Sequence, residues 1–314
     1  MKTCIGIDVG GTTVKLGIFT EDGTLLEKWE IPTRIENGGK NILPDIADAV
    51  LEKLREKDIP AEEILGAGIG VPGAMMPDGQ VAMCVNLGWR DLNPARELEK
   101  LLKGIPVKGG NDANVAALGE YWQGGGKGYN SVAMATLGTG VGCGIILNGE
   151  VMVGSKGMGG ELGHFPVNRQ ETERCNCGGY GCLELYSSAT GLVRLAKRHM
   201  AASDEASVLR EKDTLTAKDV LDAAKAGDCL ADSVVDEAMD YLALGLTYVS
   251  YTVDPEVYVI GGGVSKAGEF LLDKIRKHYE GYVKPREKAA KITLATLGND
   301  AGIYGAAKLV LNNR

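Results

Sequence analysis

The chain has 314 residues, 44% of them hydrophobic and 24% charged, with a formal net charge of −8. That length allows a sizeable core and roughly two domains of about 150 residues, and the 45 glycines, clustered between apolar runs, exclude a collagen-like or low-complexity chain. An acidic chain without a Lys/Arg-rich block has no electrostatic footprint for nucleic acid or an anionic membrane, so any anion must be held locally by backbone amides.

The sequence opens with Met1-Lys2-Thr3-Cys4-Ile5 and no basic-then-apolar signal segment, and no apolar run approaches the roughly 18 residues of a membrane span. A cytoplasmic protein without membrane partners is expected. Residues 4–8 read as a buried strand, Asp8-Val9-Gly10-Gly11-Thr12-Thr13 as a tight turn, and 14–19 as a second strand closed by Glu21-Asp22-Gly23. Leu43, Ile46, Ala47, Val50, Leu51 and Leu54 recur at helical spacing and predict an amphipathic helix that is over by Pro60. Residues 65–71 form a strand stopped by Pro72-Gly73, and a helix at 94–102, a short strand near 105–107 and a helix at 113–121 finish the first half.

The segment 132–152 repeats the opening design: an apolar strand, Leu137-Gly138-Thr139-Gly140, another apolar strand and the turn Asn148-Gly149. Helices are predicted at 183–199, 217–226 and 232–249, then a strand at 256–260 before Gly261-Gly262-Gly263, and a last helix after Gly298-Asn299-Asp300. Strands alternating with helices imply an α/β sheet. The recurrence implies two homologous halves facing one cleft, where two Gly/Thr turns would grip one polyanion from both sides, or else two unrelated hairpins.

Glycine lets backbone N–H groups approach phosphate oxygens and Thr12 and Thr13 add hydroxyls, so the first turn fits a phosphate cradle as well as a plain hairpin. Asp8 is badly placed to touch phosphate, and its natural partner is Mg²⁺. The second turn weights the reading towards phosphate. Gly261-Gly262-Gly263-Val264-Ser265 fits either a backbone approached by a flat ligand such as adenosine or a strand-to-helix turn with steric glycines, and it lacks the G-x-G-x-x-G spacing. If these turns hold a nucleotide such as ATP, the ATP-binding set comprises Asp8, Gly10, Gly11, Thr12, Thr13, Lys15, Gly138, Thr139, Gly140, Gly262 and Gly263.

In Asn111-Asp112-Ala113-Asn114, between a strand and a helix, Asp112 could take the proton of an attacking hydroxyl, although spacing alone favours a helix N-cap. Three of the seven cysteines, Cys175, Cys177 and Cys182, crowd onto a glycine-rich knuckle able to wrap a tetrahedral ion, with His164 as an available fourth ligand. A closed set of four would make such a zinc structural, the alternative being three thiols without metal. Glu161 and Glu184, held beside the knuckle, suit sugar hydroxyls, whereas in isolation each reads as a surface carboxylate. Cys4, Cys84, Cys143 and Cys229 read as core, and His199 and His278, on surface helices, receive no role.

Taken in order from residue 5 to about residue 305, the segments Asp8-Val9-Gly10-Gly11-Thr12, Asn111-Asp112-Ala113-Asn114, Leu137-Gly138-Thr139-Gly140, Glu161-Leu162-Gly163-His164, Cys175-Asn176-Cys177-Gly178, Cys182-Leu183-Glu184 and Gly261-Gly262-Gly263 resemble the ROK family of sugar kinases. The resemblance implies a duplicated ribonuclease-H-like, actin-like ATPase fold of α/β class, two domains around a cleft. The small domain would span 1–113, joined by a C-terminal helix at 299–314, and the large zinc-bearing domain 114–298. It further implies a homodimer, ATP and Mg²⁺ as cofactors, zinc on His164, Cys175, Cys177 and Cys182, and Asp112 as catalytic base. Asn111, Glu161, His164 and Glu184 would contact the sugar together with Gly73 and Asn86. Repressors of the family need a winged helix-turn-helix ahead of the core, and only a handful of residues precede the first strand here, so DNA binding is not expected. Val85-Asn86-Leu87-Gly88-Trp89 and Val71-Pro72-Gly73, with the small Ala74, resemble the branch that phosphorylates D-glucose on its 6-hydroxyl, with an N-acetylhexosamine or other hexose kinase, or a non-catalytic sugar sensor, as alternatives.

Overall fold

The computed structural model describes residues 2–285 and 289–312, so the last two positions of the helix predicted at 299–314 lie outside the described residues. Strands β1 (Thr3–Val9), β2 (Thr13–Thr20) and β3 (Leu25–Pro32) form an antiparallel meander in which Asp8 pairs with Lys15. After a kinked turn, α1 (Glu36–Gly39), the amphipathic α2 (Ile42–Glu56) buries Ile42, Ile46, Val50 and Leu54. Strand β4 (Ile64–Val71) runs parallel to β1 and is buried along all its length, as a central strand covered on both faces must be.

A hairpin of β5 (Val81–Cys84) and β6 (Trp89–Leu92), then α3 (Pro94–Leu101), leads to β7 (Val107–Asn111), parallel to β4, and to α4 (Asp112–Gln123). The sheet order is β3-β2-β1-β4-β7. The strand expected near 105–107 instead runs on to Asn111. Pairing of Lys108 to Asn111 with Gly68 to Val71 overrides the weak strand signal of Gly109 and Gly110.

The chain continues through β8 (Ser131–Leu137), β9 (Val141–Leu147), β10 (Glu150–Val151), α5 (Glu184–Ser187), α6 (Ala189–Ala202), α7 (Ala217–Lys225), α8 (Cys229–Val253), β11 (Val257–Gly261), α9 (Glu269–Tyr282), β12 (Lys291–Leu294) and α10 (Ala301–Leu311). The second sheet has the order β10-β9-β8-β11-β12, with β11 parallel to both β8 and β12. Both sheets thus carry the same order, third-second-first-fourth-fifth along their own strands, which is the duplicated α/β fold. The helix expected over 183–199 is broken at Ser188, whose extended backbone ends α5 and whose Oγ accepts the Gly191 N–H at 2.9 Å to cap α6.

The chain divides into two compact units, one of Met1–Asn130, Gly144–Gly160 and Thr296–Arg314, the other of Ser131–Cys143 and Glu161–Ala295. In the first, Ile5, Ile7, Leu16 and Ile69 join the cluster that includes α2, while Cys4 and Phe19 join Ile303 and Ala307 of α10. Each fully buried Ile or Phe contributes about 1.5–3 kcal/mol. Helix α10 reaches the sheet only because β1 and β4 carry glycine there: a Cβ on Gly6 would lie 1.9 Å from the Ile303 carbonyl oxygen, and one on Gly68 1.7 Å from that of Ala306. The buried Glu120 of α4 accepts the N–H groups of Gly125, Thr296 and Leu297 at 2.7, 3.0 and 2.8 Å, tying the segment before α10 to α4.

Cys4, Cys84 and Cys143 are buried as expected, but Cys229 is exposed, because it begins α8 at the surface rather than lying within a core helix. Among the described residues, no helix is long and apolar enough to cross a membrane.

Candidate active site and metal centre

In the first unit the parallel strands β1, β4 and β7 end side by side, and their carboxyl ends carry the residues singled out above, the usual place for a ligand in an α/β sheet. Asp8, half-buried near the end of β1, lies so close to α10 that a Cβ on Gly302 would come within 2.5 Å of its carboxylate. Burial pushes Asp8 up to about 6; Lys15 pulls it down, and the negative charge of Asp112 raises it again. A carboxylate disfavoured by both burial and a second carboxylate is one that a bound cation would relieve, so the donor chemistry fits Mg²⁺. Lys15 Nζ donates to the Asn299 carbonyl at 2.9 Å.

The turn above β1 is held from behind. Thr33 donates its N–H to the Thr12 carbonyl at 2.9 Å and its hydroxyl to the Gly10 carbonyl at 2.7 Å, while the Gly10 N–H donates to the Thr13 carbonyl at 3.0 Å. Gly11 and Thr12 are exposed, and a Cβ on Gly11 would meet no described heavy atom within 4 Å. Nothing in the fold requires glycine there, which leaves a bare backbone facing solvent.

Asn111, not Asp112, caps α4. At the end of β7 its backbone is extended (φ −64°, ψ 143°), as an N-cap needs, and its Oδ1 accepts the Asn114 N–H at 3.2 Å. Asp112 therefore occupies the first helical position, exposed, with Oδ1 accepting the Ala113 N–H at 2.8 Å and the Asn111 Nδ2–H at 3.0 Å. The same Asn111 amide donates to the Gly73 carbonyl at 3.0 Å. Cys84, whose thiol is raised by burial and further by the charge of Asp112, opens the turn that exposes Asn86. Gly73, Asn111 and Asp112 are thus directly connected, with Asn86 two residues beyond Cys84.

In the second unit the turn after β8 meets the turn after β11: a Cβ on Gly262 (φ +84°) would fall 2.5 Å from the Leu137 carbonyl oxygen, so this glycine is required by the fold. The carbonyls of Gly138 and Thr139 are taken by the start of α6, from the Ala189 N–H at 2.8 Å and the Thr190 hydroxyl at 2.7 Å. A Cβ on Gly263 or Gly138 would meet no described heavy atom within 4 Å.

His164, Cys175, Cys177 and Cys182 converge, with one ligand atom from each lying within 4.8 Å of all the others. Cys177 Sγ and Cys182 Sγ are 3.6 Å apart, and Cys175 Sγ is 3.9 Å from His164 Nδ1. Donors on a tetrahedral Zn²⁺ are separated by roughly 3.5–3.8 Å, so the set fits such an ion once its widest-spaced donors draw in by up to about 1 Å. Glu184 Oε1 accepts from Cys175 Sγ at 3.0 Å and lies 3.8 Å from His164 Nδ1, and Glu161 Oε2 is 3.9 Å from His164 Nε2. Both carboxylates expected beside the knuckle are therefore beside it.

Sequence reasoning did not find the groups that hold these parts. The buried Glu171 receives Arg198, Tyr186 and Arg194, which hold its carboxyl far below the usual range and pin the segment between His164 and Cys175 to α6. Thr33, Ser188 and Thr190 hold the two Gly/Thr turns. A hydroxyl residue ahead of a helix signals a cap, but not the turn it anchors elsewhere in the chain.

Two sheets of identical order, each ending its parallel strands in glycine turns, define the actin-like ATPase class. The ROK family model matches residues 4–313, and the chain belongs to the ROK family. It is 45% identical over 311 residues to a glucokinase of Halalkalibacterium halodurans, covering 98% of this chain and 94% of that one. The crystal structure of a ROK hexokinase from Thermus thermophilus superposes with a TM-score of 0.83 at 32% identity, covering 97% and 96% of the two chains. A ROK family glucokinase from Streptomyces griseus, solved with glucose and AMPPNP, superposes with a TM-score of 0.76 at 34% identity, covering 98% of each.

Proposed function

We propose that this chain transfers the γ-phosphoryl group of ATP to the 6-hydroxyl of D-glucose. The observation that carries the reading is Asp112, an exposed carboxylate fixed by the Ala113 N–H and the Asn111 amide beside Asp8, in a chain 45% identical to a glucokinase. Positioned in this way, Asp112 takes the proton of the attacking hydroxyl. Asn111, bridged to the Gly73 carbonyl, sets its orientation, and Asn86, Glu161, His164 and Glu184 hold the sugar hydroxyls. Backbone N–H groups of the two Gly/Thr turns, with Thr12, Thr13, Thr139 and Lys15, receive the phosphates, and Gly262 and Gly263 leave backbone open for the nucleoside.

Mg²⁺, held near Asp8, supplies charge that offsets the phosphates, and zinc on His164, Cys175, Cys177 and Cys182 supplies a structural cross-link. A small domain over 1–113 with the C-terminal helix, a large one over 114–298, a homodimer and a cytoplasmic setting belong to the same reading.

The test is incubation with Mg-ATP and glucose, mannose, fructose, N-acetylglucosamine or N-acetylmannosamine, measuring ADP and sugar phosphate. Dominant glucose 6-phosphate is expected. An acetylated sugar as best substrate would move the assignment to another hexose, and no product from any sugar would overturn it. Light scattering that returned the mass of one chain would remove the homodimer.

A further inference from the structure

We infer that Ser188 and Thr190 are positioning residues that tie the second Gly/Thr turn to the Cys/His cluster, so that metal at the cluster orders the backbone that receives nucleotide phosphate. The inference rests on the kinase reading only for the identity of the ligand at that turn; the connection itself lies within the second unit.

It can be followed atom by atom. Cys175 Sγ donates to Glu184 Oε1 at 3.0 Å. The Glu184 carbonyl accepts the Ser188 hydroxyl at 2.6 Å, the Ser188 and Thr190 hydroxyls lie 2.9 Å apart, and Thr190 Oγ1 donates to the Thr139 carbonyl at 2.7 Å. Each hydroxyl has one proton to share between its two acceptors, so the pair acts as one switchable link. A second path is steric: the other carboxylate oxygen of Glu184 lies against Gly140, where a Cβ would fall 2.6 Å from it.

The anchoring dictates which way the turn's donors point. A trans peptide sets its C=O and N–H in opposite directions. With the Gly138 and Thr139 carbonyls drawn towards α6, the N–H groups of Thr139 and Gly140 point away from it, as an anion site requires. Glu184 begins α5 two residues after Cys182, itself one of the four candidate ligands. Metal bound to Cys182 therefore fixes the backbone that leads into Glu184, and because a metal-bound Cys175 is a thiolate that no longer donates to the Glu184 carboxylate, the connection to the turn runs through the Glu184 carbonyl and the Ser188 hydroxyl. Without it, Glu184 is held on the knuckle side by a weak thiol donor.

The experiment is amide hydrogen exchange at Gly138 and Ala189, whose N–H groups donate to the Gly140 and Gly138 carbonyls at 3.0 and 2.8 Å, in the full chain without nucleotide, zinc-loaded and chelator-stripped, for wild type, Thr190→Val and Thr190→Ser. Thr190 is exposed, so the variants keep the core intact. Stripping zinc from wild type is expected to speed exchange at both amides about tenfold, and Thr190→Val to speed it severalfold in the loaded protein, as loss of one hydrogen bond allows, with Thr190→Ser restoring protection. The KM for ATP should rise about fivefold in Thr190→Val, with kcat and the KM for glucose within about twofold, the signature of lost uniform binding. The Val259 amide in β11 reports wider unfolding on stripping; if it also speeds up, the loaded Thr190→Val protein decides. Unchanged exchange in that protein overturns the inference, whatever the enzyme's activity. Responsive exchange in a protein that phosphorylates no sugar leaves the link standing and removes the kinase reading instead.

Discussion

The turns at 10–13 and 138–140 stand at the same place in two sheets of the same order, yet they are held by different means. The first is tied back by Thr33, at the end of β3, and is flanked by the carboxylates Asp8 and Asp112. The second is tied to the start of α6, with Glu184 and the Cys/His cluster behind it. A duplicated topology preserves where strands end. It leaves what surrounds those ends to segments that differ, and here one copy carries the carboxylates Asp8 and Asp112 and the other the Cys/His cluster.

The sharpest way to break this division is Asp112→Asn, which keeps the shape and the Ala113 contact but removes the base; kcat should fall about a hundred- to ten-thousandfold in the glucose assay, with circular dichroism unchanged. Wild-type turnover in that variant would remove the acid role from the first unit. On the other side, Cys182→Ser should lower zinc affinity by more than the roughly 10–100-fold expected for an outer partner, and lower Tm, as read by metal analysis and calorimetry. A stoichiometric, tightly held ion in Cys182→Ser would end the metal assignment. Next in size, Gly262→Ala should destabilise by about 1–3 kcal/mol in urea unfolding, since an L-residue at φ +84° meets the Leu137 backbone.

Asp8→Asn tests the first unit through pH. The Asp8 pKa is raised from 3.8 to about 6, so folding favours its neutral form, and wild type loses stability as pH rises through that interval. The neutral amide loses nothing, so the variant should gain about 1–2 kcal/mol above pH 6, allowing for the partial exposure of Asp8, and no advantage should remain well below pH 4. An equal gain at all pH values would refute the burial of charge. The smallest effect belongs to Gly11→Ala: stability within about 0.5 kcal/mol of wild type, because the added methyl meets open space, but weaker ATP binding by calorimetry. A large loss of stability would make Gly11 structural, like Gly262.

Much of this was legible in the chain. The Gly/Thr turns, the strands that flank them and the Cys-x-Cys knuckle are local patterns, and the structure places each where spacing put it. The hairpin of β5 and β6 and the edge strands β3 and β12 were missed, because short strands draw their stability from neighbours rather than from their own residues. The apparently continuous helix at 183–199 hid the break at Ser188, the residue whose hydroxyl also donates to the Glu184 carbonyl and lies against that of Thr190.

The sequence by itself determined the alternation of strands and helices, the duplicated glycine turns and the donor types available for metal and base, since these follow from periodicity and side-chain chemistry within a few residues. Only the tertiary structure decided that Asn111 rather than Asp112 caps α4, that Gly262 is demanded by the fold while Gly11 is not, and that Thr190 reaches Thr139. Those outcomes depend on backbone atoms brought together from distant parts of the chain, as Gly6 meets Ile303, and no local pattern encodes such distances.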